Sequence, residues 1–316
     1  MLSGADGYHV STKAISHQRS ERHAARDKAL ESEADEIAKL LSGRQARGFE
    51  EARLRGGSPW LSLVPLDELS LGLDRCAFRD AVALRMGLPF PDPLPSQCPS
   101  CGGEFDISHA LQCKRGGWVT RRHLEVLRAW KRYLIRGGYS TVREEPLLRP
   151  LPPGSVARHG TTLEMDARAD LVARGEGGRD WYFDVAIIDT GAPTYMGKTS
   201  DKALRDYEER KIIKYADRIA PLGVFTPLIC SIYGTLAPSA ALTAHRVAQG
   251  VDPDREERTS VVDLHAAVLQ VAIIKATSLC LRGRSWSSLP LVDVADPIED
   301  ATGLLDMAKG RDQDLL

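Results

Sequence analysis

The amino-acid sequence predicts an α/β fold in which a mixed sheet is flanked by helices. The first observation is the order of its hydrophobic segments, which alternate between helical and strand periodicity. The second is a compact cluster of cysteines and a histidine ahead of these segments, and the third is a strongly charged N-terminal stretch. The predicted elements are helices over 119–135, 202–219, 239–248 and 259–282, and strands over 142–148, 167–173, 181–188 and 224–233.

The chain divides by composition into segments of different character. In the charged N-terminal stretch, Leu30, Ile37 and Leu41 recur at spacings of seven and four, which predicts a helix over 22–42 in a detachable arm. Alternate prolines from Pro89 to Pro95 predict a stiff linker. The predicted segments are a partly disordered helical arm (1–57), a helix over 73–86 with the proline-rich linker (58–97), a Cys/His knuckle (98–116), an α/β domain (117–284) and a mobile acidic tail (285–316).

The overall composition limits the classes of function open to this chain. Its formal net charge is −1, so any contact with nucleic acid must come from a local basic surface. Six cysteines, three of them clustered, are too few for a secreted disulfide framework. The polar N-terminus is unlike a signal peptide, and the longest apolar run, 261–281, is interrupted by charged residues. We therefore expect an intracellular, nuclear protein with no membrane partner, and the oligomeric state stays open.

Four metal-ligand residues lie within one short stretch. Two residues separate Cys98 from Cys101, and His109 and Cys113 are four apart, so a tight turn and one helical turn each present two ligands. The Gly-Gly pair after Cys101 lets the chain fold back. Three cysteines and a histidine at this spacing predict a closed, structural Zn²⁺ site; the alternative is three incidental buried cysteines and a surface histidine.

The helix predicted after this cluster is strongly basic. Residues 114–136 carry eight Lys or Arg side chains against one acid, and spacings of seven and four place three arginines on one face. Such a face can neutralise phosphates, with interleaved aromatic residues stacking on bases or packing inward; the alternative is a solvated charged face. The predicted nucleic-acid-binding residues are Arg121, Arg122, Arg128, Lys131 and Arg132.

Two aspartates provide the sharpest candidate for chemistry. Asp170 and Asp184 each lie among apolar neighbours on a predicted strand, where an unpaired carboxylate is costly and requires a cation. On adjacent antiparallel strands the pair can converge on Mg²⁺, which activates water at a phosphodiester. On the following helix Glu208, Lys211 and Tyr215 share one face, so Lys211 can stabilise developing negative charge. The alternative is that both aspartates face solvent at a sheet edge.

A series of short motifs runs in a fixed order along roughly residues 58–284. They are Ser58-Pro-Trp-Leu, Phe78-Arg-Asp-Ala81, the Cys98, Cys101, His109, Cys113 set, Arg122-His123-x-Glu125, Glu145-Pro146, Asp166-x-Arg168-x-Asp170, Phe183-Asp184-Val185, Glu208-x2-Lys211-x3-Tyr215 and Phe225-Thr-Pro-Leu228. Together they resemble the restriction-like endonucleases of the PD-(D/E)xK type. More closely, they resemble the zinc-knuckle and endonuclease region encoded by some non-LTR retrotransposons and by retroelement-derived open reading frames.

This resemblance implies a restriction-endonuclease-like fold over 117–284 and a Mg²⁺-dependent endonuclease that nicks target DNA to prime reverse transcription. It implies that Asp170 and Asp184 bind the catalytic metal, and that DNA, or RNA of the parent element, is the partner. Two positions depart from the family pattern: Ala169 replaces a proline, and Ala186 stands where a lysine is expected. There is no room for a reverse transcriptase, so we expect a fragment of a longer element, a separate open reading frame or a domesticated descendant.

The family relocates its lysine in some members, so Lys211 is predicted to be the catalytic lysine, with Lys214 second. An acid from the first helix often joins such sites, which implies a catalytic role for Glu125, with Glu145 as its rival. Two other hypotheses stay open: a catalytically inactive, domesticated nucleic-acid-binding protein that contains zinc, and a zinc-stapled protein-interaction module.

Overall fold

The structure, a computed structural model, describes residues 12–54, 56–61, 71–148, 168–251 and 258–283. Its α-helices are α1 (Thr12–Leu40), α2 (Gly43–Arg53), α3 (Arg75–Met86), α4 (Ile107–Gln112), α5 (Trp118–Arg136), α6 (Ser200–Ile219), α7 (Pro238–Val251) and α8 (Arg258–Arg282). Its strands are β1 (Ser140–Glu144), β2 (Leu171–Arg174), β3 (Asp180–Ile188) and β4 (Val224–Ser231).

The four strands form one mixed sheet in the order β1-β2-β3-β4. The pairs β1–β2 and β2–β3 are antiparallel, whereas β4 lies parallel to β3. Parallel neighbours need a crossover connection, and α6 provides it. Pro227 is tolerated in β4 because this strand lies at the end of the sheet. The predicted α/β fold, a mixed sheet with flanking helices, is confirmed.

The alternation of side chains along β3 decides what each face of the sheet contacts. Phe183 and Val185 pack into the main core with α5, α7 and α8. Tyr182 and Ala186 belong to two smaller clusters that include side chains of α6. Because side chains two apart share a face, Asp184 lies on the α6 side of the sheet. The strand period therefore directs this carboxylate towards the crossover helix.

The aromatic residues of α5 belong to the core. Trp130 is fully buried, and the buried Tyr133 donates its hydroxyl to the carbonyl oxygen of Ala244 on α7 at 2.7 Å. Trp118 packs at the end of α8, where a Cβ on Gly283 would overlap its ring. The sequence left two roles open for these rings, stacking on bases or packing inward. In the structure they pack inward, because the apolar face of α5 covers the sheet.

The second part of the predicted N-terminal arm belongs to the folded domain. Glu51 of α2 is fully buried and accepts hydrogen bonds from the hydroxyls of Thr190 and Ser231. Arg44 of the same helix pairs with both carboxylate oxygens of Asp189, at 2.9 and 2.6 Å. The prediction of a detachable arm over 1–57 is therefore wrong for α2, because polar side chains at the end of β4 and just after β3 bind that helix. The described side chains of α1 are mostly exposed, as expected for an arm.

Some predicted boundaries shift or lie outside the described residues. The first strand occupies Ser140–Glu144 instead of 142–148. The acidic tail over 285–316 lies outside the described part of the chain, as does most of the linker between β1 and β2. Among the described helices, none is long and apolar enough to cross a membrane.

Candidate functional site

The Cys/His cluster forms a compact four-ligand group. The ligand atoms of Cys98, Cys101, His109 and Cys113 all lie within 4.8 Å of one another. A tight turn presents the first two, because the Gly102 amide donates to the Cys98 carbonyl at 2.8 Å with Gly102 in the left-handed region. The other two come from α4 and the residue after it.

The spacing of these atoms fits a tetrahedral zinc ion. Ligands about 2.0–2.3 Å from Zn²⁺ lie about 3.3–3.8 Å from one another at a tetrahedron's corners. Cys101 Sγ is 3.3 Å from His109 Nε2 and 3.9 Å from Cys113 Sγ. Burial opposes ionisation of the Cys98 thiol, but hydrogen bonds from the Ser100 and Cys101 amides help to lower its pKa to about 6. The group can hold a metal ion such as zinc, and its four protein ligands make a structural role the simplest one.

Residues 98–113, which carry the four ligands and which we call the zinc unit, pack against the rest of the domain. Cys98, Phe105, Ala110 and Leu111 share a cluster with residues of α3 and α8. From α5, Arg122 Nη2 donates to the carbonyl oxygen of Leu111 at 3.2 Å. The unit therefore fixes the N-terminal half of α5 from one side.

Asp170, Asp184 and Lys211 come together beneath α6. Lys211 Nζ is 2.7 Å from Asp184 Oδ2. Asp170, the residue immediately before β2, lies next to this pair, and its Oδ2 accepts from the Val185 amide at 2.6 Å. Tyr215, one turn along α6 from Lys211, acts to lower the pKa of the Asp184 carboxyl. We call these four residues, together with His123, the acid–lysine site.

The charges in this site depend on one another. Burial raises the pKa of Asp184, and the negative charge of Asp170 adds to this rise, while Lys211 opposes it. Burial alone would lower the pKa of Lys211, but the Asp184 carboxylate beside it raises that pKa overall. Asp184 is 4% exposed, so it needs a positive partner, and Lys211 supplies one.

A histidine completes the site from α5. His123 Nε2 lies 3.5 Å from Asp170 Oδ1. Burial alone would lower the pKa of His123, but the hydrogen bond and charge of Asp170, aided by Asp184, raise it above its usual value. The sequence contained a signal for this residue, because His123 lies three and seven positions before Val126 and Trp130 on the inward face of α5. An ionisable residue on an apolar stripe is a candidate for a paired, buried role.

The acid predicted from α5 lies elsewhere. Glu125 pairs with Arg128 on its own helix at 3.3 Å, and His123 is the α5 side chain that contacts Asp170. The prediction of Glu125 as a site residue is wrong in this structure, because two positions along a helix turn a side chain by about 200°. Glu145, the alternative acid, contacts Asp170 through its backbone. Its amide donates to the Asp170 carbonyl at 2.9 Å, whereas its carboxylate lies 3.9 Å from Arg168.

The predicted basic face of α5 is largely engaged within the protein. Arg122 is 6% exposed and so cannot reach a nucleic acid; its prediction as a contact residue is corrected. Arg128 pairs with Glu125, and Lys131 Nζ pairs with Glu144 Oε1 at 2.7 Å. Arg121 lies over the Trp118 ring, and Arg132 is half-buried. These four remain at the surface, and their contact with nucleic acid stays a prediction.

Comparison with known proteins adds no family to this description. No model of a known protein family matches the chain, and no curated protein is significantly similar to it. The functional argument therefore comes from the geometry of the two sites.

Proposed function

We propose that this chain is a metal-dependent DNA endonuclease module of retrotransposon origin that hydrolyses a phosphodiester bond at the acid–lysine site. One observation carries the proposal: Asp184 of β3 and Lys211 of α6 are in contact at 2.7 Å, with Asp170, just before β2, beside them. An acid on β3, an acid at the start of β2 and a lysine on the crossover helix match the residues that the resemblance to PD-(D/E)xK endonucleases implies.

The donor set suits a hard divalent cation. Asp170, just before β2, and Asp184 of β3 offer carboxylate oxygens, and their mutual repulsion favours a cation between them. Bound Mg²⁺ would supply a polarised phosphate and an activated water. Lys211 holds a positive charge where negative charge develops on the phosphate. His123, 3.5 Å from Asp170 Oδ1, orients the Asp170 carboxylate.

In this proposal the zinc unit has a structural role. Its four protein ligands would close the coordination shell of a bound Zn²⁺ and leave no position for a substrate. Through Leu111 and Arg122 it holds α5, the helix that brings His123 to the site. Zinc thus supports the geometry of the acid–lysine site without entering the reaction.

A second candidate function is DNA binding without cleavage. The observation that favours it is that Lys211 already compensates the charge of Asp184, so the pair is stable without a divalent ion. Ala186, at the position where the family usually has its lysine, points the same way. The chain would then be a domesticated binding module that retains zinc.

A plasmid-nicking assay separates the two candidates. Zinc-loaded protein would be incubated with supercoiled plasmid, with and without added Mg²⁺ or Mn²⁺. We expect Mg²⁺-dependent nicking that is lost in Asp184→Asn and falls by at least about 10²-fold in Lys211→Met. Glu125→Gln, which changes a carboxylate outside the site, is the matched control and should keep activity. Binding without nicking under every metal would replace the endonuclease with the binding module.

A further inference from the structure

The exposed face of α6 carries cations beside the acid–lysine site. We infer that Arg210 and Lys214 on this face form the surface that binds the DNA backbone next to the scissile phosphate. This inference rests on the proposed function, because it assigns the surface through which the substrate of the same site is held. It moves the main nucleic-acid contact from α5 to α6.

Both cations are exposed and stacked on tyrosines. The Arg210 guanidinium lies 4.8 Å from the ring centroid of Tyr207, and Lys214 Nζ lies 4.7 Å from that of Tyr215. Among the described residues, neither cation forms an ion pair with a carboxylate. Aromatic faces restrict a cation without neutralising it, so both charges stay available to a ligand.

Two cations in the N-terminal half of the same helix are already paired. Lys202 lies 2.6 Å from Asp206, and Arg205 lies 2.7 Å from Asp201. A paired cation gives little net attraction for a phosphate, since its carboxylate repels the same phosphate. The N-terminal part of α6 is therefore charged but compensated, whereas the part beside the site keeps free positive charge.

The free cations and Lys211 share the same two tyrosine rings. Its Nζ is 5.9 Å from the ring centroids of both Tyr207 and Tyr215, the two rings on which Arg210 and Lys214 stack. Arg210 and Lys214 are four residues apart, so they lie on one side of α6, about 6 Å apart along its axis. A strand whose scissile phosphate reaches Lys211 would thus meet two further cations on the same side.

The contrast with α5 favours α6. Arg122 is buried, and Arg128 and Lys131 have carboxylate partners. Binding DNA through Arg128 and Lys131 of α5 would break these pairs, whereas binding through Arg210 and Lys214 of α6 would break no ion pair among the described residues. A polynucleotide fits this surface because its phosphates repeat along one chain and the neighbouring site is built for a phosphodiester.

The test is the salt dependence of DNA binding, measured by fluorescence anisotropy with a labelled duplex and no added divalent metal. The double variant Arg210→Ala, Lys214→Ala should lower the slope of log K against log salt concentration by about 1.8, which is about 0.9 for each lost phosphate contact. The matched control is Lys202→Ala, Arg205→Ala, which removes the same charge from the same helix. This control should leave the slope nearly unchanged. Thermal melts of both variants check that each is folded.

Four outcomes would overturn the inference. One is an unchanged slope in the Arg210, Lys214 double variant. A second is an equal fall in the control pair. The third is a loss of binding only in the triple variant Arg121→Ala, Arg128→Ala, Arg132→Ala of α5. Displacement of the duplex by polyglutamate at an equal concentration of charges would show a surface for any polyanion, which also contradicts it.

The failure of this inference and that of the proposed function are distinguishable. If wild type nicks plasmid while the double variant keeps the wild-type slope, the endonuclease stands and the assigned surface does not. If the slope falls as expected but wild type nicks nothing, the surface stands and belongs to a binding module.

Discussion

At the acid–lysine site, Lys211 carries two roles. It compensates the buried Asp184 in the folded protein, and in the proposed reaction it stabilises charge on the phosphate. Lys214 contacts the Tyr215 hydroxyl at 3.3 Å and pairs with no carboxylate among the described residues. The two lysines therefore make a matched pair of positions on one helix.

Replacing Lys211 by Met should destabilise the protein. The change leaves a buried carboxylate without its cation, which typically costs about 3 kcal/mol. The same change at exposed Lys214 should stay within about 0.5 kcal/mol. Urea unfolding at pH 7 measures both free energies of unfolding. Equal, small effects at the two positions would show that Asp184 does not depend on Lys211.

Each zinc ligand should be needed to hold the ion. We expect about one Zn²⁺ per purified chain. Cys101→Ser should release the metal and loosen residues 98–136, because the emptied unit no longer fixes α4 against α5. Metal analysis and hydrogen exchange measure these two effects. Stoichiometric zinc in the variant would exclude Cys101 as a ligand.

At the scale of elements, α2 depends on one buried acid. Burial raises the pKa of Glu51, although hydroxyl groups and Arg85 oppose the rise. The folded state therefore keeps the proton to a higher pH than the unfolded state. Stability consequently falls as the pH rises from the usual range of a glutamate through the raised pKa.

Glu51→Gln should remove this part of the pH dependence. Because Gln has no proton to lose, the variant should gain stability relative to wild type between pH 4.5 and pH 8. Free energies of unfolding measured across that range would test this. Glu33→Gln, at an exposed position of α1, is the control and should follow the wild-type curve. Parallel curves for Glu51→Gln and wild type would refute the assignment.

The elements themselves were largely predictable from local patterns. Apolar periodicity placed α5, α6, α8 and three of the four strands, and ligand spacing indicated the zinc unit. Strand alternation was also enough to pair Asp170 with Asp184. Each of these inferences uses residues that are neighbours along the chain or share one regular period.

Contacts between distant segments were not predictable. Glu51 reaches Ser231 across 180 positions, and Arg44 reaches Asp189 across 145. Charge near the N-terminus indicated an exposed arm, since nothing local distinguishes a paired charge from a solvated one. Arg122 was misassigned for the same reason. The basic composition of α5 suggests a surface for nucleic acid, whereas Arg122 donates to the carbonyl oxygen of Leu111 in another segment.

For the whole molecule, the boundary of the folded unit should lie between α1 and α2. The described side chains of residues 21–41 are mostly exposed, so deletion of residues 1–41 should leave the melting temperature nearly unchanged. Deletion of 1–53 also removes Arg44 and leaves the buried Asp189 without its cation, which should cost about 3 kcal/mol or more. Thermal melts of the two proteins test the boundary. Equal melting temperatures would restore a detachable arm over 1–57.

Consecutive residues of α5 contact two different sites. Arg122 donates to Leu111 in the zinc unit, and His123 lies against Asp170. A rigid helix cannot turn one of these side chains without turning the other. If metal at the cysteines favours the rotation that seats His123, the two events are thermodynamically linked. Reciprocity then requires that a ligand which tightens the contact of His123 with Asp170 also strengthens zinc affinity, by the same factor by which zinc strengthens the binding of that ligand.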